Sequence, residues 1–210
     1  MVREDIKSFL STIPNNVTVV AASKYADAND IRTLYDAGIT NFGENRVDAF
    51  LEKYDSLQSL KLSWHFIGHL QRNKAHKVIN KIDCLHSLDS LLLAEKINVL
   101  RETPLDCFIE VSVNNEESKN GVKMECVLNS VKECLKYEKI HLVGLMMMAV
   151  KNAASDSLDE QFEKLHLLRN EIEEKLHISL PYLSMGMSDD YLIALKHHAT
   201  HIRLGRILFK

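Results

Sequence analysis

The chain has 210 residues, with 26 Lys and Arg against 29 Asp and Glu and a formal net charge of −3. A pI near 6.4 gives no general attraction to polyanions, which excludes nucleic acid as a default partner. An apolar share of 46%, a charged share of 26%, 7 glycines and 3 prolines belong to a globular chain without low-complexity linkers, and predict one domain over residues 1–210.

Residues 1–10 carry both signs of charge and no apolar core of signal-peptide type, and no stretch reaches the apolar length of a membrane span. A cytoplasmic protein away from membranes is expected. Cys84, Cys107, Cys126 and Cys134 are widely spaced and form no C-x-x-C pair, which predicts reduced, mostly buried thiols in place of a disulfide framework or zinc ribbon.

Residues 3–11 place Ile6, Phe9 and Leu10 at helical spacing, so an amphipathic helix opens the chain and Pro14-Asn15-Asn16 ends it. Residues 17–22 are β-branched and almost wholly apolar, the composition of a strand covered on both faces, as parallel strands are. Lys24 lies just beyond it. Asp27 or Asn29 caps a helix reaching Ala37, with Gly38 as its left-handed stop. The pattern then repeats: strand 39–42, turn 43–45, helix 47–60; strand 64–67, turn at Gly68, basic helix 70–80; strand 82–86, helix 88–100. A longer strand over 105–113, a polar loop over 114–121 and a helix over 124–137 come next. Strand 141–146 leads to a long amphipathic helix over 156–177, with Phe162, Leu165, Leu168 and Ile172 on one face. Strand 181–184, helix 189–197 and strand 200–203 complete the series.

Eight alternating strands and helices in a chain of this length point to a single-domain α/β (β/α)8 TIM barrel with an additional N-terminal helix, in preference to an open doubly wound sheet. The chain ends soon after its last strand, so an eighth outer helix is short or missing and the opening helix is expected to cover the gap. In such a barrel every strand's C-terminal end faces one rim, and reactive groups sit there. Lys24, Asn45, His65, Met146, Ser184 and Arg203 all fall at strand ends or just past them. The first and last strands become neighbours on closure, which brings Lys24 and Arg203-Leu204-Gly205 to one pocket.

Gly186-Met187-Ser188 with Gly205-Arg206 read as an anion cradle of backbone N–H groups at strand-to-helix turns, with Ser188 placed to cap a helix and donate its hydroxyl to phosphate. Asp189 and Asp190 oppose an anion unless their side chains turn away, and two ordinary turn glycines are the competing reading. Lys24 beside a cradle suggests a phosphorylated aldehyde held as a Schiff base, whereas a surface lysine is the bland alternative. Arg203 is placed to donate to a ring nitrogen or, equally on spacing, to pair with a carboxylate. A guanidinium in the first role keeps a pyridine nitrogen unprotonated and weakens the ring as an electron sink. His65, His69 and His76, like His197, His198 and His201, lack a recognisable ligand pattern, and no metal is expected. Gln71 to Lys77 forms a basic face, solvated or a partner surface. Residues 114–123 read as a rim loop suited to a lid, and Met146-Met147-Met148 as strand-end core beside a ring.

Ala22-Ser23-Lys24, Phe42-Gly43-Glu44-Asn45, the run from Trp64 to Lys74, Ser118-Lys119-Asn120-Gly121, Gly144-Leu145-Met146, the run from Ser184 to Asp190, and Arg203-Leu204-Gly205 together resemble the pyridoxal phosphate homeostasis protein family, in order along the whole chain. The resemblance implies a barrel like the N-terminal domain of alanine racemase, with pyridoxal 5'-phosphate (PLP) held on Lys24. It further implies that Asn45 lies beside the cofactor, that Ser184, Met187 and Ser188 border its phosphate, that Arg203 faces the ring nitrogen, and that Gly205 and Arg206 supply backbone N–H groups. The family commonly has a small hydroxyl residue where Arg206 stands and a glycine where Lys210 stands, so Arg206 is read as added charge for the phosphate. For function, the resemblance implies a PLP carrier in vitamin B6 homeostasis that delivers the cofactor to acceptor enzymes and turns over no substrate of its own, as a monomer or weak dimer. The alternative is an amino-acid racemase of the same barrel type, which needs a further domain for which 210 residues leave no length.

Overall fold

β1 (Thr18–Ala22) and β9 (His201–Leu204) lie side by side and close the molecule, with Val20 opposite Arg203 and Ala21 opposite Leu204. In this computed structural model the described residues are 1–113, 120–150 and 152–209. Between these two strands the chain forms β2 (Asn41–Glu44), β3 (Ser63–Phe66), β4 (Cys84–Leu88), β5 (Leu105–Ser112), β6 (Val122–Lys123), β7 (Ile140–Met146) and β8 (Tyr182–Met187). All pairings within the sheet are parallel, its order is β4-β3-β2-β1-β9-β8-β7-β5-β6, and a β4–β5 pairing completes the ring. β6 is a short appendage on β5, so eight strands make the expected closed barrel.

The outer layer is α1 (Ile6–Ser11), α2 (Ala28–Asp36), α3 (Val47–Ser56), α4 (Ala75–Val78), α5 (Leu91–Leu100), α6 (Met124–Cys134), α7 (Ser155–Leu176) and α8 (Tyr191–Lys196). α2 starts as its sequence requires: the Asp27 side chain accepts from the N–H groups of Asn29 and Asp30, and Asp30 reaches back to the Asp27 N–H, a capping box. Gly38 then takes φ +104° as the left-handed stop. In α7, Phe162, Leu165, Leu168 and Ile172 are buried against the sheet while the charged face stays in water.

Strand ends differ from the sequence-based expectation where a glycine sits inside the strand and not in a turn. β2 runs two residues past Phe42 because Gly43 belongs to it, where a Cβ would meet Ile67 Cδ1 at 2.9 Å. β8 likewise continues to Met187, since Gly186, at φ +88°, lets α8 pack close; a Cβ there would lie 2.7 Å from that of Ala194. The helix expected over 70–80 shrinks to α4, because the backbone N–H groups of Lys74 and Lys77 donate to carbonyls three residues back in successive tight turns. No full outer helix follows β9 among the described residues, only a 3-10 turn over Arg206–Leu208. The N-terminal segment covers it: the Arg3 N–H donates to the Leu208 carbonyl at 3.1 Å, Val2 pairs with Phe209, and Phe9 sets its ring edge on Tyr191. Residues 114–119 of the rim loop expected over 114–123 lie outside the described residues, as does Lys210, and the last two residues of that loop form β6.

The main core lies between the sheet and the helices. The lumen differs from the layered aliphatic filling usual for such barrels. A small apolar cluster of Cys84, Phe108, Val143 and Met146 shares it with buried polar groups, among them His65, His86, Glu110, Ser184 and Arg203. Polar groups in a barrel interior cost stability unless satisfied, so their partners define what the lumen is for.

Candidate cofactor site

Lys24 stands in a turn two residues past the end of β1, exposed at the C-terminal rim, its ammonium 4.9 Å from the centre of the Tyr25 ring. The side chain is not enclosed by apolar walls. Its base is instead fixed by polar contacts. The Ser23 N–H donates to the Gly43 carbonyl at 2.9 Å, and the Ser23 hydroxyl donates to Glu44 Oε1 at 2.9 Å. Lys53 of α3 forms an ion pair with the same carboxylate oxygen and donates to the Ser23 carbonyl at 2.5 Å. Glu44 also accepts the Asn45 N–H at 3.2 Å, so one buried carboxylate holds both the lysine turn and the start of the next loop. Asn45 presents a buried Oδ1 with no hydrogen-bond partner among the described residues. An orphaned acceptor of this kind suits a ligand group that donates to it.

The cradle forms where β8 and β9 end. The Gly205 and Ile207 N–H groups converge on one oxygen, Ser188 Oγ, at 3.1 and 3.4 Å. Ser188 is therefore aimed at the turn after β9 and does not cap α8, which begins without a side-chain cap. Of the two aspartates only Asp189 turns outward, whereas the buried Asp190 carboxylate stays within the cradle turn. Asp190 Oδ1 accepts the Met187 N–H at 2.5 Å within its own turn, and Asp189 pairs with Arg206 on the surface. Arg206 is thus engaged outward, and only its place in the backbone turn belongs to the cradle.

Arg203 is buried in the lumen below that rim. Nη1 donates to Ser184 Oγ at 2.5 Å and Nη2 to the Met147 carbonyl at 2.8 Å. Burial pulls its pKa down to about 10, with Glu110 and Asp190 opposing, so it stays a cation at neutral pH. Ser184 is fully buried on that guanidinium and on His86 Nδ1, 2.7 Å away. Glu110 is pushed up to about 7 by burial and by Asp89, against the pull of Arg203 and His69. Met146 and Met147 are buried at the end of β7 while Met148 is exposed.

Closure thus brings together Lys24, Asn45, Ser188, Gly205 and, below them, Arg203 with Ser184. His65 departs from expectation: it lies inside β3 facing the lumen toward the N-terminal mouth, away from the rim. The metal question also changes partners. His65, Cys84 and His86 offer ligand atoms within 4.8 Å of one another, yet both nitrogens of each ring are already engaged by protein groups. His69 pairs with Asp89 at 2.7 Å. Glu44, Lys53, Glu110 and His86 escape a reading of the sequence alone. Glu44 stands in a motif that reads as a turn, and His86 closes a strand whose neighbours across the barrel are invisible from spacing.

The sequence profile of the family described as "Alanine racemase, N-terminal domain" matches residues 2–210. A pyridoxal phosphate homeostasis protein of Aquifex aeolicus is 37% identical over 202 residues, 93% of this chain and 87% of that one. One from Haemophilus influenzae is 36% identical over 204 residues, 93% of this chain and 85% of that one. The structure of PipY of Synechococcus elongatus with PLP bound superposes with a TM-score of 0.92 at 30% identity, covering 99% of both chains. Alanine racemase of Corynebacterium glutamicum shares the fold, with a TM-score of 0.77 at 13% identity over 97% of this chain and 59% of that one. Similarity at this level along almost its whole length means that the chain belongs to the pyridoxal phosphate homeostasis protein family, and with it to the family of the alanine racemase N-terminal domain.

Proposed function

We propose that residues 1–210 form one cofactor-binding unit that holds PLP covalently on Lys24 and serves PLP homeostasis by storing and handing on the cofactor. The observation that carries this reading is the meeting of an exposed lysine, an unpartnered Asn45 acceptor, a cradle of converging N–H groups and a buried cation at the adjoining ends of β1, β2, β8 and β9. The residues fit the group. Lys24 supplies the amine, Gly205 and Ile207 with Ser188 hold the phosphate, Asn45 faces the ring's substituents, and Arg203 faces the ring nitrogen. Met187 contributes backbone at the edge of the cradle, Arg206 contributes the turn itself, and Ser184 acts on the ring through Arg203.

Bound PLP supplies an electrophilic aldehyde and, when its ring nitrogen is protonated, an electron sink for amino-acid chemistry. Arg203 is a permanent donor at neutral pH and leaves that nitrogen no reason to carry a proton, so the chain's own residues favour holding the cofactor over using it. Relatives named for homeostasis support the same conclusion. The exposure of Lys24 leaves its bond to the cofactor open to attack by amines of acceptor enzymes. The test is to load the protein with PLP, add it to a PLP-dependent enzyme stripped of cofactor, and assay amino-acid racemisation and decarboxylation in parallel. The expected result is recovery of the acceptor's activity with no turnover by the loaded protein alone. Turnover without an added enzyme would overturn the carrier reading.

A further inference from the structure

A continuous hydrogen-bond chain crosses the lumen from Arg203 to the opposite mouth of the barrel. Arg203 Nη1 donates to Ser184 Oγ at 2.5 Å, Ser184 Oγ lies 2.7 Å from His86 Nδ1, and His86 Nε2 lies 2.8 Å from His65 Nδ1. His65 Nε2 ends the chain 3.1 Å from Asn41 Oδ1. β4 and β8 are not neighbours in the sheet, so the link from His86 to Ser184 spans the interior. Asn41, Ser63, His65, Asp83, Tyr182 and His201 line a cavity of about 240 Å³ at the far end.

The chain has one polarity. Asn41 Nδ2 donates to Thr40 Oγ1 at 3.3 Å, which leaves its Oδ1 as the acceptor. His65 then carries its proton on Nε2 and offers a bare Nδ1; His86 donates to it from Nε2 and offers a bare Nδ1 to the Ser184 hydroxyl. Every donor points away from Arg203, and the negative end of each dipole faces the guanidinium. This requires neutral rings. Burial, then His65, Arg203 and His201, holds His86 well below the usual histidine range, and burial with His201 holds His65 at about 3. The other ionisable groups around the pair are Asp83 just before β4, Cys84 on β4, Asp106 on β5, Tyr182 on β8, and His201 and Arg203 on β9.

We propose that His86, backed by His65, is a positioning residue for Arg203: acting through Ser184, it fixes the orientation of the guanidinium and thereby keeps the nitrogen of a pyridine ring bound against Arg203 unprotonated. The inference rests on the reading that Arg203 faces the PLP ring, and its test separates the two. Nitrogen-15 NMR of histidine-labelled protein without cofactor reads the tautomers directly. Nε2–H forms of both His65 and His86 at pH 7 are expected, and an Nδ1–H form or an imidazolium at His86 overturns the proposal.

PLP titrations of Ser184→Ala, His86→Phe and His86→Gln give the second readout. Ser184→Ala and His86→Phe are expected to bind PLP about tenfold more weakly, the scale of one hydrogen bond to a charged group. Their bound cofactor should change its visible spectrum with pH across a range where the parent spectrum is flat. His86→Gln, which keeps an acceptor for Ser184, is expected to restore the flat profile. A folded His86→Phe protein with parental affinity and a flat profile overturns the proposal; if that variant fails to melt cooperatively, Ser184→Ala decides by the same criterion. If the parent takes up no PLP on Lys24, the functional reading has failed and the tautomers alone decide the chain.

Discussion

Lys53 on α3 reaches the carbonyl of Ser23, the residue before Lys24, at 2.5 Å while its ammonium pairs with the buried carboxylate of Glu44. The Lys24 turn is therefore anchored from outside the barrel by a partly buried ion pair. Lys53→Met leaves Glu44 buried without its cation, a loss of about 3–5 kcal/mol for breaking such a pair from one side. Adding Glu44→Gln should recover part of that loss, because the uncompensated charge disappears. Denaturant unfolding of the single and double variants measures both. A single variant as stable as the parent would show that the pair holds nothing.

Ser188 gathers the Gly205 and Ile207 N–H groups. Ser188→Ala should weaken PLP about tenfold while leaving pyridoxal, which lacks the phosphate, unchanged, since one hydrogen bond to a charged group is lost. Parallel titrations with the two aldehydes give the comparison. Equal weakening of both would place Ser188 outside the phosphate site.

Arg206 and Asp189 pair in the open, with about three quarters of each side chain exposed. Arg206→Thr should change stability by less than about 1 kcal/mol and PLP affinity by less than about threefold, because exposed pairs contribute little and salt screens them. A large fall in PLP affinity would restore the reading of Arg206 as charge for the phosphate.

Stability should depend on pH in a sense set by the lumen. Burial depresses His65 to about 3 and His201 to about 4, so below about 6.5 the unfolded chain takes up protons that the folded chain refuses, and stability falls with acidity. Glu110 acts the other way: at about 7 it keeps its proton where an unfolded glutamate has lost it, so its contribution falls as pH rises from about 4.5 to 7. The histidines outnumber it, and the melting temperature should climb from pH 4.5 to 6.5 and then level. Glu110→Gln should steepen the climb by about 1.4 kcal/mol per pH unit, the linkage of one proton. Parallel slopes for parent and variant would contradict the assignment.

The alternation of β-branched runs with amphipathic segments carries the barrel, and barrel closure carries the meeting of Lys24 with Arg203 and Gly205. Those features are local or topological, so one sequence expresses them. Gly43 and Gly186 mislead at strand ends because their reason is close packing against Ile67 and α8, which no local pattern displays. Ser184 is legible at a strand end but its partners are not, since His86 and Arg203 approach from strands β4 and β9. The Glu44–Lys53 anchor is hidden in the same way: a lysine nine residues along, on an amphipathic helix, reads as solvated until the fold shows it turned beneath the lysine loop.

Lys24 is the residue proposed to carry the cofactor. Purified protein incubated with PLP should show a visible absorption band, and borohydride reduction with peptide mass spectrometry should place the pyridoxyl group on Lys24, with Lys24→Ala protein left unlabelled. A label on another lysine, or equal labelling of the Lys24→Ala protein, would contradict the account.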